Sequence, residues 1–212
     1  MLRGQQLTKT THTTFPMTLN LTNLVPFIQA KLALHHSLYD SPLKGELWEE
    51  LCAKVFVETR VGSDWLPDFN HKVGTDQTTA CGIRISNKSG AITRDGLLIS
   101  GSRLTRHKTL REKLLFVSQK SEDFIFSLAT DKSEWARGHR RYYFSVIDSK
   151  IFNFYEDLWG EVYGEKGAHK GSLVGWFCET EKYTAKICRS MSDQLWTTVK
   201  LDACEEIHEI TV

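Results

Sequence analysis

The sequence predicts a domain of the α/β or α+β class, in which helices flank a mixed β-sheet. Its 212 residues, 41% of them hydrophobic, suit one compact core. Segments with apolar residues at the helical period alternate with short runs rich in β-branched and aromatic residues. No repeat, low-complexity block or clear linker interrupts residues 17–212, so we expect them to form a single domain.

Four segments are predicted to be helical. They cover residues 18–38, 44–56, 108–119 and 152–163. In the first, apolar residues recur every three or four positions from Leu21 to Leu32, and in the third they recur from Leu110. In the second, the apolar residues share one broad face, so Glu49 lies at its margin and Glu46 points away from it. Glu49 is therefore the acid of this helix that could turn inward.

Six segments are predicted to be strands. They cover residues 80–88, 123–130, 141–147, 173–178, 183–188 and 195–201. Residues 62–76, which precede the first strand, are rich in Gly, Ser, Asp, Pro and Asn, a composition typical of loops that carry functional residues. A Gly-rich loop at 164–171 separates the last predicted helix from the final three strands.

The charge balance and the cysteines exclude several classes of protein. With 27 Lys and Arg against 26 Asp and Glu, the formal net charge is +1, which excludes a histone-like or polybasic protein. A locally basic face can still bind nucleic acid in a neutral protein. The five cysteines are odd in number and form no CxxC pair, so neither a disulfide framework nor a thiolate zinc site is indicated.

The N-terminal segment lacks the features of a secretory signal. Residues 1–16 are rich in Thr and have no apolar core, so we expect a disordered leader to which we assign no function. The sequence contains no apolar stretch of 18 residues, and its isolated cysteines suit a reducing compartment. We therefore expect a soluble, cytoplasmic protein without a membrane partner.

One segment combines acidic, hydroxyl and basic side chains around the first predicted strand. Asp76 is followed, after nine residues, by the sequence Ser-Asn-Lys-Ser-Gly, which begins at Ser86 and places Lys88 at the end of the strand. This pattern resembles the PD-(D/E)xK nuclease motif, with Ser86 at the second acidic position. In that motif the acids hold Mg²⁺ against the scissile phosphate, and the lysine stabilises the attacking water and the developing negative charge.

Among nucleases with this motif, the chain resembles the PvuII-type restriction endonucleases. Their motif has the same interval from Asp to the second acid and reads acid-x-Lys-Ser, where this chain has Ser-Asn-Lys-Ser from Ser86. A loop with basic and His residues, a helix, two strands and a segment resembling 150–159 follow in the same order. The resemblance covers about residues 45–176 and implies a restriction-endonuclease-like PD-(D/E)xK fold.

The serine at position 86 departs from the family's motif. Because a hydroxyl is a poorer ligand for Mg²⁺ than a carboxylate, another acid has to supply the missing charge. Some restriction enzymes of this fold carry serine there and recruit a glutamate from the following helix, which makes Glu112 a candidate. Glu49 is the second candidate, because its helix resembles the one that supplies an acid near the metal in many of these nucleases. Asp76, Glu49 and Glu112 are thus the candidate metal ligands, although either glutamate could instead be a solvated helix residue.

Basic residues are concentrated in two parts of the chain. Residues 94–113 contain six Lys or Arg and two acids, a local charge of +4, and a second cluster lies at 137–141. Such residues can bind phosphates or read base edges, or simply form a solvated surface. In the resemblance, residues 106–108 match the loop that approaches DNA, and 168–172 match a later recognition segment whose paired Asn residues are missing here. The candidate DNA-binding residues are Arg94, Arg103, Arg106, His107, Lys108, Arg140, His169 and Lys170.

The resemblance implies a Mg²⁺-dependent type II restriction endonuclease that cuts double-stranded DNA at a specific site to 5′-phosphate and 3′-hydroxyl ends. The catalytic residues that it implies are Asp76, Lys88, Ser86, Glu49 and Glu112. It also implies a homodimer that matches the symmetry of a palindromic site, with the helix within 17–40 as the candidate interface, and a cognate DNA methyltransferase. Two alternatives stay open: a DNA-binding protein whose catalytic centre is disabled at Ser86, and a repair nuclease that selects DNA structure.

Overall fold

The computed structural model describes residues 24–59, 76–78, 83–120 and 122–212 of the chain. The predicted leader at 1–16 and nearly all of the predicted loop at 62–76 lie outside these residues. The described part combines one large, mostly antiparallel β-sheet with a few helices, so the predicted α/β class with a mixed sheet is confirmed at this level.

Helices occupy three of the four segments for which the sequence predicts them. The α-helices are α1 (Leu24–Leu38), α2 (Gly45–Thr59), α3 (Leu110–Ser118) and α4 (Lys132–Ala136), and 3₁₀ turns cover Ser149–Ile151, Glu156–Leu158, Gly167–His169, Arg189–Met191 and Leu201–Ala203. The short helix α4 is not predicted; it begins where the Asp131 carboxylate accepts the backbone N–H groups of Ser133 and Glu134. No helix among the described residues is long and apolar enough to cross a membrane.

The helix predicted for residues 152–163 is wrong. In the structure this segment is an extended stretch, the 3₁₀ turn Glu156–Leu158 and a strand. Phe152 and Phe154 both pack against the ring of Tyr183, so their side chains follow the period of two that is typical of extended chain. The apolar residues of this segment therefore fit a helical face in the sequence but pack with the alternation of a strand.

The strands form one continuous sheet. They are β1 (Gln77–Thr78), β2 (Arg84–Thr93), β3 (Gly96–Arg103), β4 (Phe124–Asp131), β5 (Arg141–Asp148), β6 (Trp159–Tyr163), β7 (Leu173–Glu179), β8 (Tyr183–Cys188), β9 (Gln194–Val199) and β10 (Glu206–Thr211). Their order is β10-β5-β4-β2-β3-β9-β8-β7-β6, with β1 paired to β2. Only the β2–β4 pair is parallel among these strands. Two of these strands are not predicted from the sequence: β3, whose apolar run is bracketed by glycines, and the charged edge strand β10.

Apolar cores lie on both faces of the sheet. Phe126 of β4 packs with Trp48 in the core that α1 and α2 cover, whereas its neighbour Ile125 packs with Ile147 on the opposite face. Helix α3 covers that opposite face farther along the sheet, where Leu114 contacts the core of β7, β8 and β9. Helices therefore flank the sheet on both sides, and β2 lies between the two differently covered halves.

Candidate active site

A cleft opens where β2 and β3 separate. These strands pair only near their connecting turn, from Gly90 opposite Ile99 to the turn itself. Farther from the turn, β3 bulges between Ser100 and Arg103 as it follows β9, and β1 pairs with the start of β2. The middle of β2 therefore has strand β4 on one edge and the cleft on the other.

The Asp76 carboxylate occupies this edge of β2. The backbone N–H of Asp76 donates to the carbonyl oxygen of Ile85 at 2.9 Å, which fixes the residue immediately before β1. Its Oδ2 atom accepts the backbone N–H of Asn87 at 2.5 Å and the hydroxyl of Ser86 at 3.2 Å. The Nζ atom of Lys88 lies 3.6 Å from the same oxygen. Three consecutive residues of β2 thus converge on one carboxylate oxygen.

Ser86 and Lys88 share one face of β2, as the alternation along a strand predicts. Ser86 is fully buried, whereas about a quarter of each of the Lys88 and Asp76 side chains is exposed. The hydroxyl of Ser86 therefore lies beneath the pair and hydrogen-bonds to Asp76. The ammonium of Lys88 is accessible from the cleft.

Helix α2 brings a second acid to the cleft. The helix starts against β2 at Gly45, where a Cβ atom would lie only 3.0 Å from the Ser89 hydroxyl, so glycine permits the close approach. The indole N–H of Trp48 donates to the carbonyl of Phe126 at 3.3 Å and holds the helix on the sheet. Glu49 follows Trp48 and lines the cleft with Asp76. The structure therefore brings together Asp76, Ser86, Lys88 and Glu49.

The thiol of Cys52, on α2, is buried near the two acids. Burial raises its pKa well above the usual range, and the negative charges of Asp76 and Glu49 raise it further.

Lys120 is a site residue that the sequence analysis does not identify. It follows α3, donates its backbone N–H to the carbonyl of Val117 at 3.1 Å, and lines the cleft from the side opposite α2. Burial lowers the pKa of its ammonium; the charge of Glu122 opposes this shift, that of Lys88 adds to it, and that of Asp76 opposes it. A lysine after a helix is common, so its sequence position carries no distinctive signal.

Opposite charges are balanced along the cleft. Its charged lining residues are Lys44, Lys88, Lys120, Glu46, Glu49 and Asp76. Carboxylates suit a hard divalent cation, and lysines suit phosphate oxygens. Among the described residues, no three His, Cys, Asp or Glu side chains form a metal-binding cluster. The arrangement therefore provides two acids at most for a cation, together with cationic groups for an anionic substrate.

Glu112 does not line this cleft. It is the third residue of α3, and its Oε2 atom accepts the backbone N–H groups of Lys108 at 2.6 Å and Thr109 at 3.2 Å. Thr109 in turn accepts the N–H of Glu112, which completes a capping box. The hydrogen bond from Lys108, followed by that from Thr109, lowers the pKa of Glu112. Helix capping accounts for this carboxylate.

Four of the predicted DNA-binding residues lie at the end of β3 and in the loop that follows it. Arg103 ends β3 directly after Ser102, which lines the cleft, and the chain continues through Arg106 and Lys108 to α3. The ring of His107 stacks on Phe116 with centroids 4.6 Å apart. The side chains of Arg103, Arg106 and Lys108 are exposed, so they present positive charge along the chain that follows the cleft-lining part of β3.

The other predicted DNA-binding residues lie elsewhere. Arg94 is in the turn between β2 and β3, about 20 Å along the strand from Lys88. Arg140 binds Asp40 at 2.6 Å and the carbonyl oxygen of His36 at 3.1 Å, so it ties the chain before β5 to the end of α1. His169 and its neighbour Lys170 are exposed between β6 and β7.

Comparisons of the chain with protein-family models, with curated proteins and with solved structures gave no match.

Proposed function

We propose that the chain is a Mg²⁺-dependent type II restriction endonuclease with a PD-(D/E)xK fold, which hydrolyses double-stranded DNA at a specific site to 5′-phosphate and 3′-hydroxyl ends. The observation that carries the proposal is the convergence of Ser86, Asn87 and Lys88 on the Asp76 carboxylate at the edge of β2. An acid before one strand and a lysine on the next is the arrangement expected from the resemblance. Glu49 then supplies the acid that Ser86 lacks.

The donor set suits Mg²⁺ in a site that the substrate completes. Mg²⁺ in phosphoryl-transfer sites keeps several waters and binds one or two carboxylates together with substrate phosphates. Asp76 and Glu49 would hold it, and the hydroxyl of Ser86 would orient Asp76 through its hydrogen bond. When bound, Mg²⁺ lowers the pKa of a coordinated water and neutralises charge on the phosphate.

The lysines of the cleft would act on the substrate directly. Lys88 is near enough to Asp76 to orient a water beside it, and its positive charge opposes the negative charge that develops on the phosphate. Lys120, on the other side of the cleft, would bind a phosphate oxygen. Arg103, Arg106 and Lys108 extend this positive surface along the duplex and would contribute salt-dependent affinity.

The homodimer of the proposal would form through α1 and the start of α2. Leu34, Leu38 and Tyr39 expose 61%, 71% and 57% of their surface, and Leu47 adjoins them across a groove between the helices. Exposed apolar surface of this kind is typical of protein interfaces. A second copy on this face would place two clefts about a two-fold axis, to match a palindromic site. A cytoplasmic location and a cognate methyltransferase belong to the same proposal.

DNA cleavage is the direct test. Purified protein is incubated with plasmid and phage DNA in Mg²⁺ or in EDTA, alongside Lys88→Ala and the control Lys186→Ala, which changes a lysine on β8 outside the cleft. Discrete Mg²⁺-dependent fragments that only Lys88→Ala abolishes support the proposal. A metal-dependent smear would instead identify a nonspecific or structure-selective nuclease. Cleavage that persists unchanged in Lys88→Ala contradicts the assigned site.

A DNA-binding protein without nuclease activity is the second candidate. It is favoured by the serine at position 86 and by the lack of any cluster of three His, Cys, Asp or Glu side chains in the described part of the chain. In this case the cations of the cleft and of the β3–α3 loop would bind DNA alone. A gel shift with several DNAs, without cleavage in either Mg²⁺ or Mn²⁺, would support this candidate over the nuclease.

A further inference from the structure

A second cavity opens from the cleft on the sheet face that α3 covers. It has a volume of about 250 Å³ and shares four lining residues with the cleft: Lys88, Ser100, Gly101 and Lys120. The two spaces therefore adjoin each other at the point where β2 and β3 separate. A molecule bound in the cleft lies next to this cavity.

Much of the lining of the cavity is apolar. Its walls are formed by Ile99, Val117, Ile125, Phe152, Phe154 and Leu195. The rings of Phe152 and Phe154 are nearly parallel, with centroids 5.8 Å apart, and the ring of Tyr183 meets both edge to face. Flat aromatic groups pack well against such a wall.

Two buried polar atoms of the lining residues have no hydrogen-bond partner within the described part of the chain. These are Oε2 of Glu122 and Oγ of Ser149. A buried polar atom without a partner is unfavourable, so a group that reaches these residues and supplies a partner would be stabilised. By contrast, Asp123 on the same wall accepts hydrogen bonds from the backbone and the side chain of Arg84. Glu122 can accept an N–H group from a ligand, and Ser149 can donate or accept.

Positive charge is placed at the cavity mouth. Lys88 and Lys120 lie where the cavity meets the cleft, and Lys150 lines the cavity as well. A ligand that matches the aromatic wall, the polar atoms of Glu122 and Ser149, and the lysines has a flat ring system with N–H donors and an attached phosphate. This is the composition of a nucleotide. The volume suits one base, since pockets for larger organic ligands begin at roughly 300 Å³.

We propose that this cavity binds a single nucleotide, with the base beside Phe154 and Glu122 and the phosphate at Lys88 and Lys120. Two sources share this chemistry: a free nucleotide, and one nucleotide turned out of a DNA strand that lies in the cleft. The second source rests on the proposed function. Extrusion of a base requires the loss of stacking and pairing, so it is easier from a mismatch than from a matched duplex.

Direct binding of deoxynucleoside monophosphates tests the cavity independently of catalysis. The dissociation constants of dCMP, dAMP and inorganic phosphate are measured by NMR titration for the wild type, Glu122→Gln, Ser149→Ala and the control Glu181→Gln in the β7–β8 turn. We expect dCMP and dAMP to bind more tightly than phosphate, and Glu122→Gln to weaken them about tenfold, since the acceptor of the ligand's N–H group loses its negative charge. Binding no tighter than that of phosphate, or unchanged in both cavity variants, overturns the proposal.

A duplex measurement distinguishes the two sources. The affinity of the protein for a matched duplex is compared with that for the same duplex carrying one central mismatch, with and without Glu122→Gln. Tighter binding of the mismatch that depends on Glu122 assigns the cavity to an extruded nucleotide. Nucleotide binding without any preference for the mismatch assigns it to a free nucleotide. The nucleotide titration needs neither Mg²⁺ nor cleavage, so nucleotide binding can be found even if the protein cuts no DNA, and the two proposals fail separately.

Discussion

Two lysine–aspartate pairs in this protein lie in contrasting surroundings. Lys113 is 1% exposed, and its ammonium donates to Asp193 and to the Leu104 carbonyl, both at 3.0 Å, and to the carbonyl of His107. Lys88 and Asp76 are each about a quarter exposed, and their charged atoms lie 3.6 Å apart. The three N–H donors of Lys113 are all used, whereas the ammonium of Lys88 can still bind a substrate.

The contrast shows which features distinguish a structural pair from the pair that we propose is reactive. Both pairs place opposite charges together, so charge alone does not separate them. Complete hydrogen bonding in a dry site fixes one geometry, and removal of a partner then destabilises the fold. A longer, partly hydrated pair at a cleft contributes little to stability, so its substitution should alter activity and leave folding intact.

Asp76→Asn should have the largest effect, which is a loss of DNA cleavage. The amide retains an oxygen for the N–H of Asn87 but loses the charge that would hold Mg²⁺, so we expect the cleavage rate to fall about 1,000-fold. The melting temperature should stay close to that of the wild type. The matched variant Asp193→Asn should show the reverse, with a lower melting temperature and normal cleavage by the folded protein. If both variants lost only stability, the distinction between the pairs would be wrong.

Lys113→Met should cause the largest loss of stability. It removes the ammonium that binds Asp193 and two carbonyl oxygens, and we expect the free energy of unfolding to fall by about 3 kcal/mol. Urea denaturation followed by circular dichroism measures this change. Lys88→Met is the control, and its free energy of unfolding should be nearly that of the wild type. Equal losses in the two variants would contradict the structural assignment of Lys113.

A third substitution adds a carboxylate beside the pair of Asp76 and Lys88. Ser86→Asp adds a carboxylate where Ser86 now donates to Asp76, so we expect the Mg²⁺ concentration for half-maximal cleavage to fall about tenfold. Without Mg²⁺ the two acids repel each other, and the variant should melt at a lower temperature than the wild type. Ser102→Asp, which adds a charge on another part of the cleft lining, should change the Mg²⁺ requirement less. A folded Ser86→Asp protein with an unchanged Mg²⁺ requirement would contradict the site.

The smallest expected effect concerns Lys120. Burial lowers its pKa in the folded protein, so the charged ammonium is destabilising below that pKa, and this cost disappears as the pH rises past the ordinary lysine value of about 10.4. Lys120→Met should therefore stabilise the protein slightly at pH 7, with a smaller gain at higher pH, while weakening DNA binding. Urea denaturation at pH 7 and at the higher pH measures the change in stability. A gel shift measures the change in DNA binding. Exposed Lys132→Met is the control for stability, and equal behaviour of the two variants would refute the role of burial.

Local patterns in the sequence predict much of the candidate site. The spacing from Asp76 to Lys88 spans one connection between neighbouring strands, and the helical period places Glu49 at the margin of its apolar face. Both relations depend on residues near each other in the chain. Lys120 precedes β4, and the parallel pairing of β4 with β2 brings it to the cleft that Lys88 also lines, which no local pattern reveals.

The role of Glu112 and the extended structure of residues 152–163 have identifiable physical causes. Thr109 and Glu112 carry the spacing of a capping box, so the sequence itself contains a structural role that competes with the proposed metal ligand. The helix predicted at 152–163 is wrong because its aromatic residues fit either period, and packing on Tyr183 selects the extended one. A local sequence pattern is therefore ambiguous where the same residues fit two different structures or roles.

The hydrogen bonds of Lys113 have a thermodynamic consequence for the β3–α3 loop, which carries Arg106 and Lys108. They fix the backbone at Leu104 and His107, on either side of Arg106. Disordered basic segments lose conformational entropy when they bind nucleic acid, and this loss lowers their affinity. Here the backbone is ordered when the protein folds, so Arg106 has only its own side-chain freedom to lose on meeting a phosphate.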